Sequence, residues 1–330
     1  LSHIIALSGG VGGAKLAFGL AEVLAPDDLT IVANTADDFD HLGLPICPDI
    51  DTLVYTLAGV NDAEKGWGRA AETWSFMAAL GDLGGDTWFQ LGDKDIAMHV
   101  LRRSMLEAGK PLSGVCAHVC KALNIPHAVV PMSDARMRTI VETAHGDMAF
   151  QHYFVKHRCE PAVKGFRFDG VQHATPSPAF ERALGRDDLG GIILCPSNPF
   201  VSIGPILALD QLRRRLGQLR VPVIAVSPIV GGQALKGPTA KMMAELGMPQ
   251  SAGQVARLYA DFLDGFVVDL VDAAEAEAIA SPSLHVESTQ TVMRTDDDKR
   301  KLALACLGFI DRLRSAGGGN AGQAADPAAV

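Results

Sequence analysis

A chain of 330 residues with 48% hydrophobic side chains can bury a full core, which excludes a disordered protein and leaves room for one large α/β domain or two ordinary ones. With 29 basic against 38 acidic residues the formal charge is −9, and no long basic run tracks a phosphodiester backbone, which argues against general nucleic-acid binding. No apolar stretch reaches the roughly 20 residues of a membrane helix and no signal layout opens the chain, so the expectation is a soluble cytoplasmic protein whose six scattered cysteines are buried thiols.

The first forty residues predict a βαβ unit: strand His3–Ser8, a glycine-rich turn, helix Lys15–Ala25 and strand Leu29–Ala33. Near-continuous apolar runs at Ala128–Pro131, Gly191–Cys195 and Val221–Val226 extend this to a Rossmann-like α/β fold with a mostly parallel sheet flanked by helices. Residues 49–124 predict a helical insert. Residues 139–171 predict a small β-rich subdomain, with strands Thr139–Glu142 and Gln151–Val155 on either side of Gly146-Asp147. Residues 245–280 read as largely helical around the apolar Phe266–Val271, and Asp296–Ser315 as a final amphipathic helix. The whole of 1–315 is expected to be one domain, with 316–330 a disordered tail because it has no apolar side chains to bury.

In a parallel sheet, ligands sit beyond the carboxyl ends of the strands, so the loops after Ser8, Ala33, Cys195 and Ser227 are the places to look. Ser8-Gly-Gly-Val-Gly-Gly-Ala-Lys15 has the form of a phosphate cradle, with Gly9, Gly10, Gly12 and Gly13 allowing close approach and Lys15 adding charge. It is neither a Walker A loop nor a dinucleotide fingerprint. Asn34 and the acids Asp37 and Asp38 end the second strand, and Asp49 and Asp51 follow within one loop. Such carboxylates predict Mg²⁺ joined to a bound diphosphate, with Asp51 assigned to the chemistry, assisted by Asp37 or Asp38, and Asp49 to a helix cap. Leu91-Gly-Asp-Lys-Asp95 opens another helix, where Asp93 can cap and Lys94 and His99 can face a substrate. Trp67, beside a charged loop, suits a flat heterocycle, while Trp74 is better explained by packing. Ser197, Asn198 and Ser227 line two further polar turns at strand ends. Asp134 to Arg138 could aid an acidic substrate or simply be solvated, and the histidines 145, 152 and 157 have no ligand spacing. Cys116 and Cys120 share a helix face without the partners zinc needs.

Taken as a set, SGGVGGAK, NTADD, CPDIDTLVYTLAG, GWG with ETW, LGDKDIAMH, PMSD, PSNPFVSIGPIL, SPIVGG and DFLD resemble the 2-phospholactate transferase family of deazaflavin cofactor biosynthesis, called CofD or FbiA, from Ser8 to about Asp264. The resemblance implies Mg²⁺-dependent transfer of a phosphorylated three-carbon acid from a guanosine-diphosphate conjugate to the ribityl hydroxyl of the deazaflavin Fo. The products would be (dehydro) coenzyme F420-0 and GMP. By position it implies Asp51 and Lys94 at the Fo site, and the glycine loop and the segment of Ser197 and Asn198 at the guanosine diphosphate. Trp67 and His99 are added to the acceptor side, and Asn34 and Ser227 to the nucleotide side, from the reading of the loops above. Lys15 falls where some members have Arg. A homodimer is implied by the resemblance alone. Two other readings compete: a non-catalytic regulator binding nucleotide sugars, and a kinase with an atypical loop that would release ADP instead of GMP.

Overall fold

The computed structural model describes residues 2–318. Its strands in chain order are β1 (His3–Ser8), β2 (Leu29–Ala33), β3 (Phe39–His41), β4 (Leu44–Ile46), β5 (Ala128–Pro131), β6 (Arg138–Thr143), β7 (Gly146–Ala149), β8 (Val163–Asp169), β9 (Leu189–Leu194), β10 (Val223–Val226), β11 (Ile229–Val230), β12 (Gln233–Ala234), β13 (Gly265–Asp269) and β14 (His285–Thr289). Seven form the central sheet in the order β14-β13-β10-β9-β1-β2-β5, with every pair parallel. The chain builds outward from β1 through β2 to β5, then returns to β9 on the other side of β1 and continues to β14. The direction of winding therefore reverses between β1 and β9, and that is where a cleft opens at the carboxyl ends of a doubly wound sheet.

Both faces of the sheet are covered. Ile4 and Ala6 belong to one apolar layer and Ile5 and Leu7 to the other, so β1 is buried along its length. Helix α1 (Gly10–Val23) packs on the first face with α2 (Pro48–Leu57) and the C-terminal helix Asp296–Gly318. At Gly19 of α1 an added Cβ would collide with the backbone carbonyl of Lys299, so only glycine lets the two helices approach this closely. Gly19→Ala is expected to cost about 1–3 kcal/mol, read as a lowered urea midpoint with an unchanged slope. An unaltered midpoint would mean that this helix contact opens freely.

The insert after β4 is helical as expected, with α2, α3 (Ser75–Asp82), α4 (Asp93–Glu107) and α5 (Leu112–Ala122). The β-rich insert is a three-stranded antiparallel sheet, β7-β6-β8. Four local expectations need correction. The strand partner of β6 is Gly146–Ala149, and His152–Lys156 is instead one wide π-type turn with Tyr153 buried in the subdomain core. Phe266–Asp269 lies in β13, a buried parallel strand between β10 and β14, not in a helix. The glycine-rich stretch is mostly the first turn of α1, which begins at Gly10, five residues before the predicted start. The last helix runs to Gly318, past the expected tail boundary at 316, and the rest of that tail lies outside the described residues. Among the described residues no helix is long and apolar enough to cross a membrane.

Candidate active site at the reversal of the sheet

Ser8 ends β1, and the chain turns through Gly9 and Gly10, the latter at φ +66°, straight into α1. The Gly9 amide donates to Ser197 Oγ at 3.2 Å and the Gly10 amide to Asp49 Oδ1 at 2.7 Å. A Cβ on Gly12 would strike the Pro196 carbonyl, and one on Gly13 would strike the hydroxyls of Ser8 and Ser197. These glycines thus let the loops after β1 and β9 touch across the reversal point. α1 has no side-chain cap at its N-terminus.

Asn34, at the end of β2, knots the cleft together. Its Nδ2 donates to Asp49 Oδ2 at 2.9 Å and to the Val201 carbonyl at 3.2 Å, and its Oδ1 accepts from the Ala36 amide. Asp37, Asp38, Asp49 and Asp51 are all buried. One oxygen each of Asp37 and Asp38, and the Ser8 hydroxyl, find no hydrogen-bond partner. Burial raises the Asp37 carboxyl well above the usual range, and the Asp49 charge adds to the effect. Burial also lifts Asp38 to about 7 against the pull of Arg138, and Asp49 to about 6 against its bonds from Asn34 and Gly10.

The two aspartates of α2 differ from expectation in their partners. Asp49 does not cap α2, whose N-cap is Cys47 with no side-chain bond, but reaches to the start of α1. Asp51, two residues on and so on another side of the helix, forms a bidentate pair with Arg102 of α4, with Nη1 to Oδ2 at 3.2 Å and Nη2 to Oδ1. Arg102 also donates to the Pro45 carbonyl at 3.0 Å and lies 3.1 Å from His99 Nδ1. The other ring nitrogen, Nε2, lies 3.4 Å from Asp95 Oδ1 but makes no hydrogen bond among the described residues. Tyr55 completes the chain by donating to Asp95 at 2.6 Å.

The remaining predicted residues are more dispersed. Lys15 lies on the second turn of α1 with Nζ donating to the Met293 carbonyl at 2.8 Å, and burial followed by the charges of Lys299 and Lys236 lowers its pKa. Lys94 Nζ donates to the Ala71 carbonyl, and Asp93 caps α3 through the Ser75 and Phe76 amides instead of its own helix. Trp67 is exposed, with Lys65 over its ring and over that of Trp74. His99 is buried within the Asp51–Arg102–Asp95 network. Asn198 caps the turn that follows it, accepting from the Phe200 and Val201 amides, and the Ser227 hydroxyl bonds locally, to Ile229. Among the described residues no three His, Cys, Asp or Glu side chains are arranged to hold a metal by themselves. Sequence reasoning missed Arg102 and Tyr55. The signal was present for Arg102, because Asp95, His99 and Arg102 recur at i, i+4 and i+7 along one face of a predicted helix.

An α/β fold with a doubly wound, wholly parallel central sheet and a buried cluster of polar and acidic side chains at its reversal point is the class that these features define. Residues 4–307 match the family described as 2-phospho-L-lactate transferase CofD, and the chain belongs to that family. It is 38% identical over 319 residues to a phosphoenolpyruvate transferase of Streptomyces griseus, covering 95% of this chain and 100% of the relative. It is 36% identical over 300 residues to a 2-phospho-L-lactate transferase of Methanosarcina mazei, covering 91% and 98%. A crystal structure of a UPF0052-family protein from Bacillus halodurans shares the fold, with a TM-score of 0.62 at 15% identity over 93% of this chain and 100% of that one. The chain is accordingly a transferase of the 2-phospho-L-lactate transferase type, acting in coenzyme F420 biosynthesis.

Proposed function

We propose that the protein moves a phosphoenolpyruvyl, 2-phospholactyl or phosphoglyceryl group from its guanosine-diphosphate conjugate to the ribityl hydroxyl of Fo. The hydroxyl oxygen forms a bond to the phosphorus carrying the three-carbon acid, the bridging P–O bond breaks, and GMP leaves in line. One observation carries this reading: four of the family segments, read separately from the sequence, meet in a single hydrogen-bonded knot of Gly10, Asn34, Asp49 and Val201 at the sheet's reversal point. The residues there fit a hard divalent cation, since one buried oxygen each of Asp37 and Asp38 lacks a partner, and burial together with neighbouring carboxylate charge raises both groups. Asp37 and Asp38, with Asp49 beside them, would hold Mg²⁺, which when bound supplies charge neutralisation at diphosphate oxygens. Asp51 would bear on that centre through its pair with Arg102, and α1 would present its first-turn amides to a phosphate. Trp67 and Lys94, on the helical insert, are the side chains we assign to Fo. Homodimerisation and a cytoplasmic location belong to the same proposal.

The test is to incubate the purified protein with Fo, Mg²⁺ and each guanylated donor, and to follow GMP release and a deazaflavin chromophore with added mass. A single productive donor would identify the acid. No product with any donor, together with nucleotide-sugar binding, would replace this reading by the regulator.

Metal binding has its own signature. Asp38 and Asp49 have unfolded values near 3.8 and folded values of about 7 and about 6. Raised folded values mean that the native state keeps protons the unfolded chain has lost, so their stabilisation is full below pH 3.8 and is lost as pH climbs to the folded values. Metal-free protein should therefore weaken as pH rises over that window. Mg²⁺ should raise the thermal midpoint at a pH above both folded values far more than at a pH below both. Equal shifts on the two sides, or none, would exclude these acids as the metal site.

A further inference from the structure

The cation expected at the phosphate is Lys15, yet its ammonium is engaged by the Met293 carbonyl from the second turn of α1. A different lysine stands at the first turn. Gly66, in the loop between α2 and α3, has φ +77°, and a Cβ built there would lie 2.7 Å from Lys236 Nζ and 3.8 Å from Val11 Cγ1. Val11 is the second residue of α1, so the Lys236 head sits where that loop, the opening of α1 and the segment after the β11–β12 hairpin converge. The hairpin is anchored at its turn, where both oxygens of Asp272 accept from the Gly231 amide at 3.0 Å. Lys236 is exposed and forms neither a hydrogen bond nor an ion pair among the described residues. Below the same turn, the fully buried Ser8 hydroxyl has no partner and faces Gly13. The unpaired ammonium stands beside the opening turn of α1, and that juxtaposition of a free cation with a helix N-terminus points to an anionic ligand there.

We propose that Lys236 binds the donor's diphosphate, reaching past Gly66 to the phosphoryl group that is transferred. The proposal rests on the site reading given above.

The experiment is calorimetric titration of the full chain in Mg²⁺ with GDP and with GMP, GDP standing in for the donor because its β-phosphate replaces the transferred group. Lys236→Met should weaken GDP by about tenfold or more and GMP by less than about threefold, the loss of one charge-assisted contact. Lys236→Arg, which keeps the charge, should retain GDP affinity within about threefold. Lys164→Met, an equal charge change on an exposed strand position, is the control. If wild type binds GDP and Lys236→Met binds it as well as Lys164→Met does, Lys236 has no such role although the site reading survives. Equal losses for GDP and GMP would also overturn the assignment. If wild type binds neither nucleotide, the site reading fails and the role of Lys236 falls with it.

Discussion

Arg102→Met is expected to cost about 3–5 kcal/mol of folding stability, because it strands a buried carboxylate without its counterion. Arg102 is 2% exposed and Asp51 6% exposed, so water cannot replace the lost partner. The damage extends beyond one pair. The Arg102 charge also restrains the buried Asp38 and Cys47, and removing it would push both groups further towards their protonated forms. The double variant Asp51→Asn with Arg102→Met buries no unpaired charge at this position and should recover most of the loss in urea denaturation. A single-variant loss below about 1 kcal/mol would mean that the pair is hydrated or readily opened. Asp51→Asn alone leaves the buried Arg102 guanidinium without its counterion, so it is expected to lower stability on a similar scale and to abolish product formation even at a temperature where circular dichroism shows the variant folded. Near-normal rates would remove Asp51 from the mechanism.

The central sheet was legible where its strands are covered on both faces. β1, β2, β5, β9 and β10 are short unbroken apolar runs followed by turn residues, a pattern that burial between two helical layers imposes. β13 has the same character, but its five residues lie between helical patterns, and periodicity alone cannot separate a buried strand from a buried helix segment over so short a run. β14, His-Val-Glu-Ser-Thr at the sheet edge, is partly exposed and carries no apolar signal. His152–Lys156 offered aromatic and β-branched residues that suit a strand, and tertiary packing of Tyr153 against the β insert overrode that preference.

The site was legible as a set of loops and illegible in its pairings. Gly10, Asn34 and Ser197 lie on loops at strand ends whose convergence follows from parallel topology, whereas Asp49, read from the sequence as a helix cap, joins them only through the packing of α2. Which aspartate of α2 turns to the glycine loop depends on the rotation of that helix against α1, and nothing local records it. The partner of Asp51 lies 51 residues away on α4, beyond the reach of any spacing rule. Lys236 is a still harder case, since its meaning comes from its place beside the opening turn of α1.

Asp49 is where position and chemistry can be separated by experiment. Its two oxygens accept from the Gly10 amide and from Asn34 Nδ2, so it joins α1, β2 and α2 while contributing a negative charge beside Asp37. Asp49→Asn keeps the shape but sets one amide NH₂ against another, or turns a donor towards the Gly10 amide. Turnover should fall by on the order of a hundredfold to a thousandfold, the scale for losing one preorganised electrostatic contact in an active site. The exchange Asn34→Asp with Asp49→Asn restores a complementary donor and acceptor across the same contact and moves the charge from α2 to the end of β2. Its thermal midpoint should recover only in part, because an oxygen of the new carboxylate at position 34 faces the Val201 carbonyl that Asn34 Nδ2 had bonded, while turnover stays low because the anion no longer stands against the start of α1. Recovery of both would reduce Asp49 to a strut between loops, and the charge that neutralises the cation would have to come from Asp37 and Asp38 alone.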